Sequence, residues 1–480
     1  MSLDKHYDLG TGEGYEKYII DSSNKKNFIF VSSPRKIEQF ANYFSNCLEL
    51  QSESEAINNL IDVLKTNVNE KFYLCNLLKK GILYLHAKIP DIIKEYLIYK
   101  YETISEIKYL VANTVILEGM NLPIDTLFIL STYRLDDKRM INLIGRVNRL
   151  NYIFHETDFD CKKLLPPIHF VDSEEWNSKR NKMENAVEKL ATANPKDKIE
   201  NPLLSDFDGS SDEGKQALKN AQDITDSFLN NDENDELKSF KKAFYKYGLN
   251  KYYKNKNKDF FEALYNLAKE NESTGDENTL SKLSEIFILP FIRNIGDFEF
   301  LRLQFSETIN YYEKYYSIYT TKRLSEKIEI MYRYIKKGPI IFYIGSQYGE
   351  ITDGISKSKV FINKIGKTED ELINIAIAKI KIEDDFISFS LNNFINMMYE
   401  YKIINEETYN KYIFGSTDEK EIKLHKSGIP SFLIAILKHD GQLNNIEIQD
   451  NGECNGNSSY QDYKNTKDDF IQYHLSRYIK

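Results

Sequence analysis

Cysteine is scarce in this chain and nowhere paired. Cys47, Cys75, Cys161 and Cys454 stand far apart in 480 residues, with no CxxC and no Cys/His pair at ligand spacing. That spacing gives no support to a disulfide framework or a structural zinc, and small buried thiols are the expectation. Long apolar runs are missing too, since none approaches the roughly 20 residues that cross a bilayer. The opening stretch MSLDKHYDLGTGEGYEKY has no apolar core of the signal-peptide kind, so the cytoplasm is the expected location. An excess of positive charge is also absent. The net charge of -9 does not advertise a polyanion-binding protein, although a net charge averages over local patches. His439–Asp440 has no second His/Asp set, so no metal site is assigned.

What is present is unevenly spread. The stretch Asp206 to Glu236 is rich in acid, Asn and Ser and poor in apolar periodicity, as a solvated linker or mobile insertion would be. Without it the chain is roughly neutral. The expected division is a linker over 1–23, an α/β domain over 24–172, a helix with the acidic linker or insertion over 173–240, a helical accessory domain over 241–440, and a polar tail with a terminal helix over 441–480.

Between Asn27 and Val171 strand-like and helix-like pieces alternate. NFIFV (Asn27 to Val31), ILYL (Ile82 to Leu85), IKYLVA (Ile107 to Ala112), TLFIL (Thr126 to Leu130) and IHFV (Ile168 to Val171) are short apolar runs of the kind buried parallel strands need. Ser33 and Pro34 precede apolar residues at Ile37, Phe40, Ala41 and Phe44, which predicts a helix starting after the first strand. Further helices are predicted from Pro90–Asp91 through Leu97 and from Lys138 to Asn148. The alternation is that of a doubly wound parallel sheet, in which ligands bind at loops beyond the carboxyl ends of the strands.

The unusual residues fall in those loops. After the third strand come Thr114, Gly119 and Asn121–Leu122–Pro123, and after the fourth a helix carries Gly145, Arg146 and, three residues on, Arg149. Arginines three apart share a helical face, and an apolar helix tolerates them when both meet anions such as phosphate.

VANTVILEGMNLP (Val111 to Pro123) followed by NLIGRVNRL (Asn142 to Leu150) resembles motifs V and VI of superfamily 2 helicases, closest to the superkiller-type and related DEAD/DEAH-like enzymes. FIFVSSPRKIEQFA (Phe28 to Ala41) resembles motif IV with its helix, and GILYLHAKIP (Gly81 to Pro90) the strand and loop that carry a His before a Pro-initiated helix. Order and spacing agree over residues 27 to 172. The resemblance implies a RecA-like C-terminal motor lobe followed by a mostly helical region. It implies that Arg146 and Arg149 reach the nucleotide phosphates as an arginine pair. Gly119 and Asn121 correspond to residues that couple the nucleotide site to the nucleic-acid track, and Asn142 and Gly145 lie in the nucleotide-facing motif. Thr114 matches a backbone-phosphate contact, Ser32 and Ser33 a second phosphate point at a helix N-terminus, and His86 the histidine of the second-strand loop. Two departures stand out: Asn142 replaces the family's Gln, and Asn113 precedes Thr114 where a Thr-Ser or Thr-Thr pair is usual.

The first lobe of such a motor needs GxxxxGK[ST] and an acidic box for magnesium, and neither occurs in this sequence. Gly10, Gly12 and Gly14 lack the Lys-Ser/Thr. The expectation is therefore a C-terminal fragment or one half of a split enzyme, inactive alone, using ATP with Mg once a first lobe is supplied by the same gene or a separate subunit. Single-stranded or partly duplex nucleic acid is the expected partner, with no membrane. The alternative is a catalytically degenerate module that binds nucleic acid or protein.

Beyond Ser173 the period turns helical. A helix is expected around Glu175 to Leu190. Lys241 to Lys258 interleaves lysines with Phe244, Tyr245, Tyr247, Tyr252 and Tyr253, which suits either a solvated helix over an aromatic core or a single-strand platform. Ile309 to Ile335 reads as one long Tyr-rich amphipathic helix, with core packing the simpler use of its rings. Pro339 to Gly349 reads as a short strand or buried turn. Further helices are expected over Glu369 to Ile380, Ser390 to Tyr401 and Ser431 to Lys438. Gly428–Ile429–Pro430 faintly resembles a backbone-binding hairpin, and Asp440 to Asp468 reads as a mobile polar tail.

Overall fold

Five short apolar runs become five parallel strands: β1 (Asn27–Phe30), β2 (Ile82–Leu85), β3 (Tyr109–Ala112), β4 (Thr126–Ile129) and β5 (Ile168–Phe170). The computed structural model describes residues 14–50, 54–114, 122–133, 135, 137–147, 167–177, 183–192, 235–272, 278–345, 348–352 and 359–480. The strand order is β2-β3-β1-β4-β5, with every neighbour parallel. All residues of β1 to β4 are buried, as a parallel sheet covered on both faces requires. The chain leaves β1 toward β2 on one side and leaves β4 toward β5 on the other. Opposite departures from adjacent strands open a crevice at the carboxyl ends of β1 and β4, the switch point of the sheet.

The chain divides into two compact units, each assembled from separated stretches. One takes the described residues through Thr192, Leu324–Ile382 and Ser458–Tyr478; the other takes Asp235–Arg323, Glu383–Asn457 and Ile479–Lys480.

In the first unit the sheet is joined by helix Leu324–Lys337 and by a small antiparallel sheet of β6 (Ile341–Tyr343), β7 (Ile351–Thr352) and β8 (Lys359–Asn363), ordered β6-β8-β7. Helix Asp469–Tyr478 packs on helix Asp91–Thr103: Phe470 meets Tyr96 edge-on at 5.0 Å and Tyr473 stacks on Tyr99 at 4.9 Å. Lys100 Nζ reaches Asp469 at 2.6 Å, and His474 Nε2 lies 3.0 Å from the Ile92 carbonyl. Trp176, the sole tryptophan, is buried here against Phe40 and donates to Tyr15 Oη at 2.7 Å.

The second unit is helical around an aromatic core. Phe244, Tyr253, Phe260, Phe261, Phe287, Phe300 and Phe394 are buried there, with Phe300 and Phe394 stacked at 4.4 Å. Of the interleaved aromatics, Phe244, Tyr252 and Tyr253 therefore face the core, while Tyr245 and Tyr247 are half-buried. Tyr312 and Tyr315 are buried as well and donate to Glu383 at 2.6 Å and Asp384 at 2.9 Å.

Two expectations are corrected. The run Ile309 to Ile335 is two helices, Ser306–Thr321 and Leu324–Lys337, because Lys322 adopts an extended conformation after the paired threonines. The division between units falls at this break. The stretch Asp440 to Asp468 is regular: β9 (Ile446–Ile448) pairs antiparallel with β10 (Cys454–Gly456), and helix Ser458–Asn465 follows. The chain end holds β10 from its other edge, with Gly456 N–H on the Lys480 carbonyl at 2.8 Å and Lys480 N–H on Cys454 at 3.0 Å. The predicted helices over Glu369 to Ile380 and Ser390 to Tyr401 are Glu369–Phe386 and Asn392–Glu400, linked by a π-helical turn at Ile387–Leu391. The acidic stretch of 206–234 lies outside the described residues.

Candidate functional site

Strand register sets the floor of the site. Leu85, Ala112, Phe30 and Ile129 form one row across β2, β3, β1 and β4, so the loops after these strands leave from the same edge and level. Val31 N–H bonds Ala112 at 3.0 Å and Leu130 N–H bonds Phe30 at 3.1 Å, which carries the ladder one residue further.

Ser32 and Ser33 follow β1 and are half-buried. Ser33 has an extended backbone, Pro34 opens helix Pro34–Ser45, and the Ser33 side chain does not cap it. The Ser33 carbonyl accepts from Ile37 N–H at 2.9 Å, while the amides of Arg35 and Lys36 belong to the first turn, whose donors have no intrahelical acceptor. No acidic residue stands in that turn.

After β2 comes His86, which is fully buried. Lys88 N–H donates to its Nδ1 at 3.1 Å, so the ring proton sits on Nε2 and is donated to Glu38 Oε1 at 3.0 Å. Glu38 Oε2 accepts from Tyr348 Oη at 2.7 Å, and the His86 ring stacks on Tyr84. Burial, with the Glu38 carboxylate beside it, holds the Tyr348 hydroxyl far above its ordinary range. His86, expected at a nucleic-acid contact, is thus committed to an internal network and presents no exposed surface to a strand.

Thr114 is half-buried after β3. Gly119, Asn121 and Arg149 lie outside the described residues. After β4, helix Asp137–Ile144 carries Asn142, which is exposed, and leads to the exposed Gly145 and to Arg146, 9% exposed. Ser131 at the end of β4 is buried, and the next amide, of Thr132, donates to Asn177 Oδ1 at 3.2 Å.

Beside the first turn of helix Pro34–Ser45 stands an ion cluster with no clear signature in the sequence. Arg35 pairs with the Glu350 carboxylate, and Lys367 Nζ reaches the same oxygen, Oε1, at 2.6 Å. Burial alone would raise the Glu350 carboxyl, but Lys367 and Arg35 outweigh it and hold it below the ordinary range. Glu38 had a legible signal, an acid on the apolar stripe of Ile37, Phe40 and Ala41. Tyr348 and Glu350 had none, standing 310 and 315 positions from Glu38 and Arg35, and Lys367 had none although Glu350 is only 17 positions away.

Among the described residues no three His, Cys, Asp or Glu side chains converge as metal ligands. In the second unit an open polar cleft lies between Lys420, Lys423 and Asn444, Asn455 and Asn457, on and beside the β9–β10 hairpin. Glu419 and Glu447 also line it and balance its lysines, so it offers a polyanion no net attraction. No protein-family model matches the chain.

Proposed function

We propose that this chain supplies the C-terminal, RecA-like motor lobe of an ATP-dependent nucleic-acid helicase, with a helical extension. The observation that carries this reading is the common origin of its motif-like segments. All four leave the carboxyl edge of one parallel sheet, and those after β1 and β4 flank its switch point. Ser32 and Ser33 offer a phosphate the N-terminal end of a helix, where amides and dipole favour an anion. Asn142, Gly145 and Arg146 stand on the β4 side, and a guanidinium there would offset charge on a transferred phosphoryl group. ATP with Mg would be held chiefly by a first lobe carrying the phosphate loop, whether in the same gene or in a separate subunit. His86 then serves as a positioning residue, fixing the loop after β2 through Glu38 and Tyr348.

ATP hydrolysis with and without single-stranded DNA or RNA, by this chain alone and with a first lobe added, tests the reading. Activity should arise only in the combination and fall by roughly 10³-fold or more on Arg146→Ala. Arg146 is buried, which favours the second reading of a binding module without catalysis. Strand binding with no hydrolysis in any combination would establish that module and end the motor.

A further inference from the structure

We infer that Arg35 and Lys367 form a binding site for a nucleic-acid backbone phosphate, and that Glu350 of the small sheet occupies it in the free protein as a carboxylate substitute. This rests on the proposed nucleic-acid function of the edge beside Ser32 and Ser33. It adds a site made of Arg35, which the motif IV-like segment contains without a role, and Lys367, which lies outside the motif-like segments.

Three observations combine. Arg35 is the second residue of helix Pro34–Ser45, so its guanidinium belongs to the same first turn whose amides and dipole favour an anion. Its side chain is 33% exposed and that of Lys367 12%, against 21% for Glu350, so the cluster is reachable from solvent rather than sealed in a core. Its charge does not close: two cations share one carboxylate oxygen. A phosphodiester carries the same single charge as a carboxylate and two comparable oxygens, so it can replace Glu350 on the two cations while the released Glu350 carboxylate turns to water.

The occupant is also held by the small sheet. Glu350 N–H bonds the Phe361 carbonyl at 2.8 Å, and Gly349 lies so close to β8 that an added Cβ would stand 2.3 Å from the Lys359 carbonyl oxygen. Glu350 is therefore fixed to the small sheet. Near the site the sheet meets the parallel-sheet elements through the part-exposed Glu350–Arg35 pair, which exchanges with water at modest net cost, and through the buried Tyr348–Glu38 bond.

Fluorescence anisotropy with a labelled single-stranded DNA and its RNA counterpart, at several salt concentrations, tests this on the full chain. Glu350→Gln should tighten binding about threefold to tenfold and steepen the salt dependence by roughly 0.7 in log–log slope for each phosphate engaged. Tyr348→Phe, which loosens the small sheet without touching either cation, should shift affinity the same way. Lys367→Gln on the Glu350→Gln background should return affinity toward the unaltered chain. A preference between DNA and RNA that is unchanged across variants fits a backbone contact. Unaltered chain that binds, with Glu350→Gln binding equally or more weakly, overturns the inference and leaves the proposed function standing. No binding by any form overturns the inference, while the proposed function is decided by hydrolysis with a first lobe added.

Discussion

Buried polar groups are the residues on which this molecule's stability turns, and Lys26 is the clearest case. Its ammonium donates to the carbonyls of Tyr101, Ile104 and Ile107 at 2.7, 2.6 and 2.9 Å, closing the end of helix Asp91–Thr103 over the Tyr101 ring. Burial pushes its pKa down to about 8 against the opposing pull of Asp125 and Glu106. Lys26→Met keeps the stem and strands the carbonyls, and should cost about 2–3 kcal/mol. Trp176 is the only tryptophan and lies in the same unit, so its fluorescence in a urea titration reads this loss directly. A change below about 0.5 kcal/mol, the size of an ordinary surface substitution, would contradict it. Glu38→Leu leaves the His86 and Tyr348 donors without their acceptor, and should cost about 2–4 kcal/mol by the same readout, well above Tyr348→Phe. A larger effect for Tyr348→Phe would mean that the carboxylate is not the centre of the network.

Elements formed where local chemistry was explicit. Each of β1 to β5 lies inside an apolar run visible in the sequence, and helix Pro34–Ser45 starts at the proline that follows Ser33. The small sheet was harder to read, since only part of β6 was suggested by Pro339 to Gly349. Its tight point is Gly349, where a Cβ would meet the backbone of Lys359 and Val360 at 2.3 to 2.5 Å. Gly349→Ala should therefore displace β7 from β8 and abolish slow amide exchange at Glu350, whose N–H bonds the Phe361 carbonyl, whereas Gly366→Ala, with open space at φ +77, should cost only about 1 kcal/mol of backbone strain. Equal effects from the two would show that close approach is not what Gly349 provides. The long Tyr-rich run failed as one helix because apolar periodicity continues across Lys322, while the chain turns there to join a different unit.

At the scale of the molecule, buried histidines link stability to acid. Burial lowers His474 to about 4, and also lowers His169 and His425. Between pH 4 and 6.5 the unfolded chain binds a proton at His474 that the folded chain refuses, so stability falls as pH falls through that window and is regained above 6.5. The shift corresponds to about 3 kcal/mol at most. Urea titrations followed at Trp176 should show that decline, and His474→Gln, whose amide can still donate to the Ile92 carbonyl, should flatten it. An unchanged slope would place the acid sensitivity elsewhere. The sequence by itself determined the five strands, their parallel sheet and the loops that bear Ser32 and Thr114, because apolar runs, a Ser-Pro helix start and loop residues act over a few neighbouring positions. The helix expected to carry Arg146 to Asn148 instead ends at Ile144, with Arg146 in the turn that follows. Only the tertiary structure decided that Leu324–Ile382 and Ser458–Tyr478 return to the sheet-bearing unit, that His86 turns inward to Glu38, and that Glu350 meets Arg35. Periodicity says that a face will be buried and not against what, and partners some 300 positions apart leave no local mark on one another.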